Sequence, residues 1–215
     1  MTARLEKLYS LIDDCGVFAD IGCDHGYISQ AVLKGGKAEK VYASDISAAS
    51  LKKARSLIGD GYKGRFFTFL SDGFDGLPGD VDECLIAGLG GEEICAVLSR
   101  AKTLPDTLIL QPMKNAEKVR RLVVSLDYGV IGDFTFYAAD KYYDVIKAVK
   151  RGGERVYSDD EYAYGMDNVK RGGVDFMRFV GFKLNQLTSV FDKIIDEKEK
   201  ARVAREIEKL KGFLR

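Results

Sequence analysis

The sequence predicts an α/β fold: a doubly wound, mainly parallel sheet followed by a C-terminal α-helical hairpin or coiled coil. Three observations predict it. Apolar runs of strand length alternate with amphipathic stretches of helix length through the first two thirds of the chain. Two β-rich runs joined by a short turn close that alternation. A proline-free segment with apolar residues at three- and four-residue steps then ends the chain.

Taken in order, Leu5, Leu8, Tyr9 and Ile12 make one helical stripe, which Cys15-Gly16 stops. The apolar run "VFADIG" then enters the loop "CDHGY". Residues 27–34 read as a helix, 40–46 as a strand, and 48–58 as a helix stopped by Gly59. Strands follow over 65–73 and 82–91, a helix from Glu92 to about Lys102, a strand over 106–112 and a helix from about Asn115 to Leu126. The runs at 130–140 and 141–151 predict an antiparallel hairpin at the edge of otherwise parallel strands. That is the layout of the Rossmann-like methyltransferase variant of the doubly wound sheet.

From about Val156 the chain turns polar and turn-rich. Val174, Met177, Val180, Leu184, Leu187, Phe191 and Ile194 then recur on one helical face, as do Ala201, Ala204, Ile207 and Leu210. The stripe weakens across 196–200, which predicts two helices packed as an antiparallel hairpin; the alternative is one straight helix. The expected division is a sheet unit over 1–155 and a helical unit over 156–215.

Composition bounds the function. Of 215 residues 46% are hydrophobic, enough for a compact domain with an appendage. Lys plus Arg and Asp plus Glu are 33 each, so overall charge points to no polyanionic partner. Local basic groups stand at 51–55, 63–65 and 114–121, and at Arg151, Arg155, Lys170 and Arg171. No apolar run approaches the ~20 residues of a membrane span, and the N-terminus is charged and amphipathic rather than signal-like. A soluble, cytoplasmic protein with no membrane partner is expected. Cys15, Cys23, Cys84 and Cys95 have no CxxC spacing and there is one histidine, so no metal site is expected and a reducing compartment fits.

In a doubly wound sheet, ligands bind beyond the carboxyl ends of the strands, so the loops there are the ones to inspect. After the first strand, Gly22 and Gly26 permit close backbone approach, and the helix beginning near Tyr27 turns its amide-rich end into the loop. A dinucleotide loop reads G-x-G-x-x-G, but here Asp24 takes the place of the middle glycine. Asp20 and Asp24 together disfavour pyrophosphate and favour a cation. S-adenosylmethionine, with a sulfonium and an ammonium, matches; a turn capped by Asp24 is the structural alternative.

Asp45, 19 residues beyond Gly26, closes the unit as an acceptor for ribose hydroxyls. Asp72 before Gly73 is placed to accept from an adenine amine, or simply makes an Asp-Gly turn. Gly88, Gly90 and Gly91 interrupt a buried strand and open a rim for a flat ring or cofactor. Gln111, ending the fifth strand, brings an amide to that rim or caps a turn. For His25, loop hydrogen bonding or cofactor contact is expected ahead of acid–base work.

Together, "RL" near the N-terminus, "ADIGCDHGY", "SDI", "DG", "IAGLGG" and "LILQP" resemble the bacterial tRNA (adenine-N1)-methyltransferases that modify adenosine 22. The resemblance implies that Asp20, Gly22, Asp24, His25 and Gly26 surround the methionine end of S-adenosylmethionine. It implies Asp45 with Ile46 at the ribose, Asp72 and Gly73 at the adenine, and Gly88 with Leu89 facing the methyl group. Asp24 is expected as a carboxylate near the reacting base and Gln111 as the residue that orients it. Two departures are Met113 where the family often has Asn, with Asn115 a substitute, and Asp45 where Glu is common. The implied partner is tRNA, gripped by Arg202, Arg205, Lys209 and Lys211 of the hairpin, and the implied state is a monomer or weak homodimer. The competing readings are a methyltransferase acting on a small molecule or protein, and a non-catalytic S-adenosylmethionine-binding interaction module.

Overall fold

The computed structural model describes residues 1–150 and 156–215. Helix α1 (Ala3–Ser10) precedes strand β1 (Cys15–Ile21), and α2 (Tyr27–Gly35), β2 (Ala38–Asp45), α3 (Ala48–Ile58) and β3 (Phe66–Leu70) follow. Next come β4 (Glu83–Ala87), α4 (Gly91–Arg100), β5 (Thr107–Gln111), α5 (Ala116–Ser125), β6 (Tyr128–Ala138) and β7 (Lys141–Lys150). The C-terminal part carries α6 (Asp159–Tyr164), α7 (Met166–Arg171), α8 (Val174–Phe191) and α9 (Glu197–Phe213).

The seven strands form one sheet in the order β3-β2-β1-β4-β5-β7-β6. β1 to β5 run parallel, and β7 is antiparallel to both β5 and β6. The period-2 alternation of strand side chains sorts the core into two layers. Ile86, Leu108 and Leu110 face Ile94, Leu98, Val119 and Val123 of α4 and α5. Leu85 and Ile109, one residue out of step, face the other way with Phe18 and Val41, toward Leu8 of α1 and Ile28, Val32 and Leu33 of α2. The sequence order reverses between β1 and β4, which opens a crevice beside the carboxyl ends of those two strands.

The predicted doubly wound sheet and edge hairpin are therefore present, and α8 and α9 are separate helices packed side by side. Three details differ. The strands expected over 65–73 and 82–91 end at Leu70 and Ala87, because Gly73 and Gly88 take positive φ and turn the chain into loops. The segment read as polar and turn-rich contains α6, started by a capping box of Ser158 and Glu161, and α7. The helical break falls at 192–196 with Asp196 as the next N-cap, ahead of the charged run where it was expected. Among the described residues, no helix is long and apolar enough to cross a membrane.

The C-terminal helices are joined to the sheet by a polar cluster. Arg120 of α5, 2% exposed, lies within 2.9 and 3.0 Å of the two carboxylate oxygens of Asp133 on β6. Its Nη1 donates to the carbonyls of Tyr162 and Ala163, and its Nη2 lies 3.4 Å from Asp144 of β7. Asp133 also accepts from the Met166 amide. Three alternate amides of β6 donate to side chains of the following helices: Asp133 to Asp167, Thr135 to Asn168 and Tyr137 to Asp175.

At the amino end of β4, Glu83 is 2% exposed; one oxygen accepts from the Asp13 amide and the other lies 3.5 Å from Lys147 Nζ. Burial pushes its carboxyl up to about 7, against the pull of Lys147. The folded chain thus holds a proton on Glu83 that the unfolded chain releases above about pH 4.5. The stability this contributes is full below that pH and lost as pH rises through about 7. Glu83→Gln is expected to flatten that part of the stability–pH curve in chemical denaturation at pH 5 to 8. Arg120→Ala is expected to destabilise the protein by ~3–5 kcal/mol, because it leaves Asp133 buried without its partner; the unfolding midpoint in urea measures it.

Candidate active site

A cleft of about 870 Å³ opens beside the carboxyl ends of β1, β2 and β4. Asp20, Gly22, Asp24, His25, Asp45, Ile46, Asp72, Gly73, Gly88 and Leu89 all line it. Gly26 and Gln111 do not. The sheet thus brings loops far apart in sequence to one rim, as their positions after successive parallel strands require.

The loop between β1 and α2 is built on left-handed residues, with φ of +72° at Gly22, +48° at Asp24 and +75° at Gly26. It is tied to β2: the Gly22 and Cys23 amides donate to the Ser44 carbonyl, and the Asp24 amide donates to Asp45 at 3.0 Å. Asp45 also accepts from the Ser47 amide at 2.8 Å, ahead of α3. Gly26 is the N-cap of α2 and offers no side-chain acceptor; Asp20 supplies one from β1. One Asp20 oxygen accepts from the Ser29 amide at 3.2 Å and from its hydroxyl at 2.6 Å, a carboxylate at a helix N-terminus.

The electrostatics of this corner are acidic. Asp20 is 5% exposed, and burial pushes its carboxyl up to about 6; the Ser29 bonds oppose that, and repulsion from Asp45 and Asp24 adds to it. Asp24 is exposed, and its carboxylate lies 2.8 Å from His25 Nδ1. The His25 ring in turn stacks on half-exposed Tyr27, centroids 5.8 Å apart. A bound cation would be stabilised by these carboxylates. Among the described residues, no group of three or more His, Cys, Asp or Glu side chains is arranged to hold a metal ion.

The other rim residues depart from simple expectation in instructive ways. Asp72 pairs with Arg100 of α4 at 2.8 Å, so an amine at this end meets a carboxylate already shared with a guanidinium. Gly88, at φ +83°, lies under Arg4 of α1: a Cβ there would stand 3.0 Å from the guanidinium. Gly90 and Gly91 serve packing instead of a ligand. The first lies against Glu93 and Lys114; a side chain on the second would collide with the Lys114 and Asn115 carbonyls. Gly26 likewise lets α2 approach α3, with a Cβ only 2.7 Å from that of Ala54.

Gln111, expected at the rim, is wholly buried. Its Oε1 accepts from Arg4 Nε at 2.7 Å, and its Nε2 donates to the Pro112 carbonyl at 3.1 Å and lies 3.5 Å from Met113 Sδ. Arg4, Ser29 and Arg100 were the residues sequence reasoning missed. Arg4 was visible only as part of "RL", and Ser29 only as a small polar residue in the first turn of a helix that lacks a side-chain cap.

A sheet of this order with an acid-lined cleft at its switch point defines the class of the protein: a doubly wound α/β fold with its ligand-sized cleft where such folds place their sites. The chain belongs to the methyltransferase domain family, whose model matches residues 1–146. A Mycoplasma pneumoniae protein is 38% identical to it over 109 residues, 49% of this chain and 50% of that one. The tRNA (adenine(22)-N(1))-methyltransferase of Bacillus subtilis is 28% identical over 171 residues, 77% of this chain and 72% of that one. The chain thus spans about half the length of the first of these relatives. Among solved structures, M. capricolum TrmK in complex with S-adenosyl-homocysteine superposes with a TM-score of 0.90 at 23% identity, covering 99% of this chain and 97% of that one.

Since Asp45 fastens two backbone amides, Asp45→Ala is expected to cost about 1–3 kcal/mol of stability before any ligand is added. Thermal unfolding of the ligand-free protein measures this, and Asp45→Asn, which keeps one oxygen acceptor, should lose less.

Proposed function

We propose that the chain transfers a methyl group from S-adenosylmethionine directly to N1 of an adenine in tRNA, adenosine 22 of the D-arm region. The observation that carries the reading is the acidic corner formed by Asp20, Asp24 and Asp45 inside a nucleoside-sized cleft at the switch point. A donor set of carboxylates suits a ligand that carries a sulfonium and an ammonium, and it fits this cofactor better than a pyrophosphate. The family match supports the methyl transfer and the B. subtilis relative supports the substrate.

In this reading Asp20, Gly22, Asp24 and His25 hold the methionine end, with Gly26 shaping the loop from behind. Asp45 and Ile46 hold the ribose, Asp72 and Gly73 the adenine, and Gly88 and Leu89 border the reacting side. The cofactor supplies a sulfonium-activated, electrophilic methyl group. The protein's own work is positioning, because adenine N1 carries a free lone pair at neutral pH and needs no nucleophile from the chain. The target base gains positive charge, and Asp24, an exposed carboxylate of the cleft, stabilises it. N1 lies on the pairing edge, so the nucleotide must leave its stack to enter the cleft.

The division of labour we propose is cofactor chemistry in residues 1–155 and macromolecular contact in 156–215, in a cytoplasmic enzyme that is monomeric or weakly dimeric. The basic groups of α9 give that contact modest support, because Arg202, Lys209 and Lys211 already pair with Glu199, Asp160 and Glu208. Of the basic groups noted in the sequence, Arg120 is buried, Lys118 and Arg121 are paired with acids, and Arg151 and Arg155 lie outside the described residues.

The direct experiment incubates the protein with labelled S-adenosylmethionine and unmodified tRNA, then identifies the digested nucleosides by mass spectrometry. N1-methyladenosine should form and should vanish when adenosine 22 is replaced; label in any other nucleoside overturns the assignment. Cofactor affinity should weaken as pH falls through about 6, because protonation removes the Asp20 charge beside the cationic groups of the cofactor. Asp20→Asn should bind more weakly at neutral pH and lose that pH dependence in calorimetric titration.

A further inference from the structure

Arg4 is a cation without an anion. It sits in the first turn of α1, half-buried, and lines the cleft. Its Nε is committed to Gln111 at 2.7 Å, and its guanidinium carbon lies 5.4 Å from the centroid of the Tyr143 ring. No carboxylate pairs with it among the described residues, whereas the other cleft-lining guanidinium, that of Arg100, has Asp72. Both η nitrogens reach over Gly88, where the absence of a side chain leaves them at the rim. A guanidinium fixed at one nitrogen and open at two presents a preformed fork for an anionic oxygen. Gln111, wholly buried with both ends of its amide occupied, cannot reach a ligand.

We propose that Arg4 receives an anionic oxygen at the β4–β5 side of the cleft, and that Gln111 acts through it as the residue that positions the guanidinium. The inference rests on the methyl-transfer reading. Two sources offer the required chemistry: a phosphate of the nucleotide brought to the cleft, and the carboxylate at the amino-acid end of the cofactor. Burial also favours such a ligand, since it lowers the Arg4 pKa and an arriving anion would restore it. Gly88 belongs to the same device: any side chain there would push the fork from its place.

The experiment compares Arg4→Ala, Arg4→Lys, Gln111→Ala and the Arg4→Ala/Gln111→Ala double variant, each checked for an unchanged thermal unfolding profile. Two quantities are read: the Kd of S-adenosylhomocysteine by calorimetry, and KM and kcat for tRNA. If a nucleotide phosphate is the ligand, Arg4→Ala raises KM for tRNA tenfold or more and leaves the Kd unchanged. If the cofactor carboxylate is the ligand, the Kd rises tenfold or more and KM holds. In either case Arg4→Lys recovers part of the loss, Gln111→Ala shows a smaller loss of the same kind, and the double variant is no worse than Arg4→Ala. Kd and KM both within twofold of the parent in Arg4→Ala overturn the proposal. Multiplying effects in the double variant overturn the positioning role of Gln111. A parent that methylates no tRNA overturns the substrate reading instead, and the calorimetric arm then decides the role of Arg4: a weakened Kd supports it and an unchanged Kd ends it. Should Arg4→Ala fail to fold, Arg4→Lys and Gln111→Ala carry the same comparison.

Discussion

The buried pair of Arg120 and Asp133 is the contact on which the architecture turns. A guanidinium cannot be left in an apolar layer without an anion and acceptors for its remaining donors. Here the anion comes from β6, a second carboxylate from β7, and two backbone carbonyls from the end of α6. One side chain on α5 therefore determines where the edge hairpin and the C-terminal helices must lie relative to the sheet. Gly165, at φ +95°, is the passage that makes this possible, since a Cβ there would meet Asp133 and Arg120 within 3.0 Å. Apolar packing alone would hold these elements together with less discrimination among positions; directional hydrogen bonds to several elements at once fix the register.

The cleft obeys the same economy of groups. Asp20 caps a helix whose own N-cap is a glycine, and Asp45 fastens the loop that contains Asp24. The acids proposed to attract a cation are also the acids that give the loop its shape. Burial raises Asp20 and repulsion from Asp45 and Asp24 adds to it; a cationic ligand would relieve that repulsion, so binding and loop order would draw on one set of charges.

Much of this was legible in the sequence because periodicity and strand-end position are local properties. Strand β1, the glycines after it, and the acid ending β2 follow from pattern alone, and ten of the predicted cofactor residues line one cleft. What was not legible depends on partners distant in the chain. Gln111 and Arg4 are 107 residues apart, and no local signal says that one will consume the other. Gly90 and Gly91 looked like ligand glycines, yet Gly90 lies against the side chains of Glu93 and Lys114 and Gly91 against backbone atoms of the β5–α5 connection. The strands after Arg65 and Asp82 read too long because 71–73 and 88–91 were counted with them, whereas the chain has by then left the strands for loops with positive φ at Gly73 and Gly88. The short helices α6 and α7 were hidden by their polarity; they bury only Tyr164 and Met166 as apolar anchors, and Asp167 and Asn168 bond to amides of β6 far away in the sequence.

The bonds from Asp167, Asn168 and Asp175 to alternate amides of β6 have a meaning for the life of the molecule among its copies. β6 is the last strand of the sheet, and an uncovered strand border is a template on which another extended chain can add. Side-chain oxygens occupy three of the donors such a chain would need. The C-terminal helices thereby act as a guard against sheet-to-sheet aggregation, independently of any ligand they contact. A chain cut short after β7, however complete its cleft, would carry that bare border into solution and would be lost to self-association before its chemistry was ever limiting.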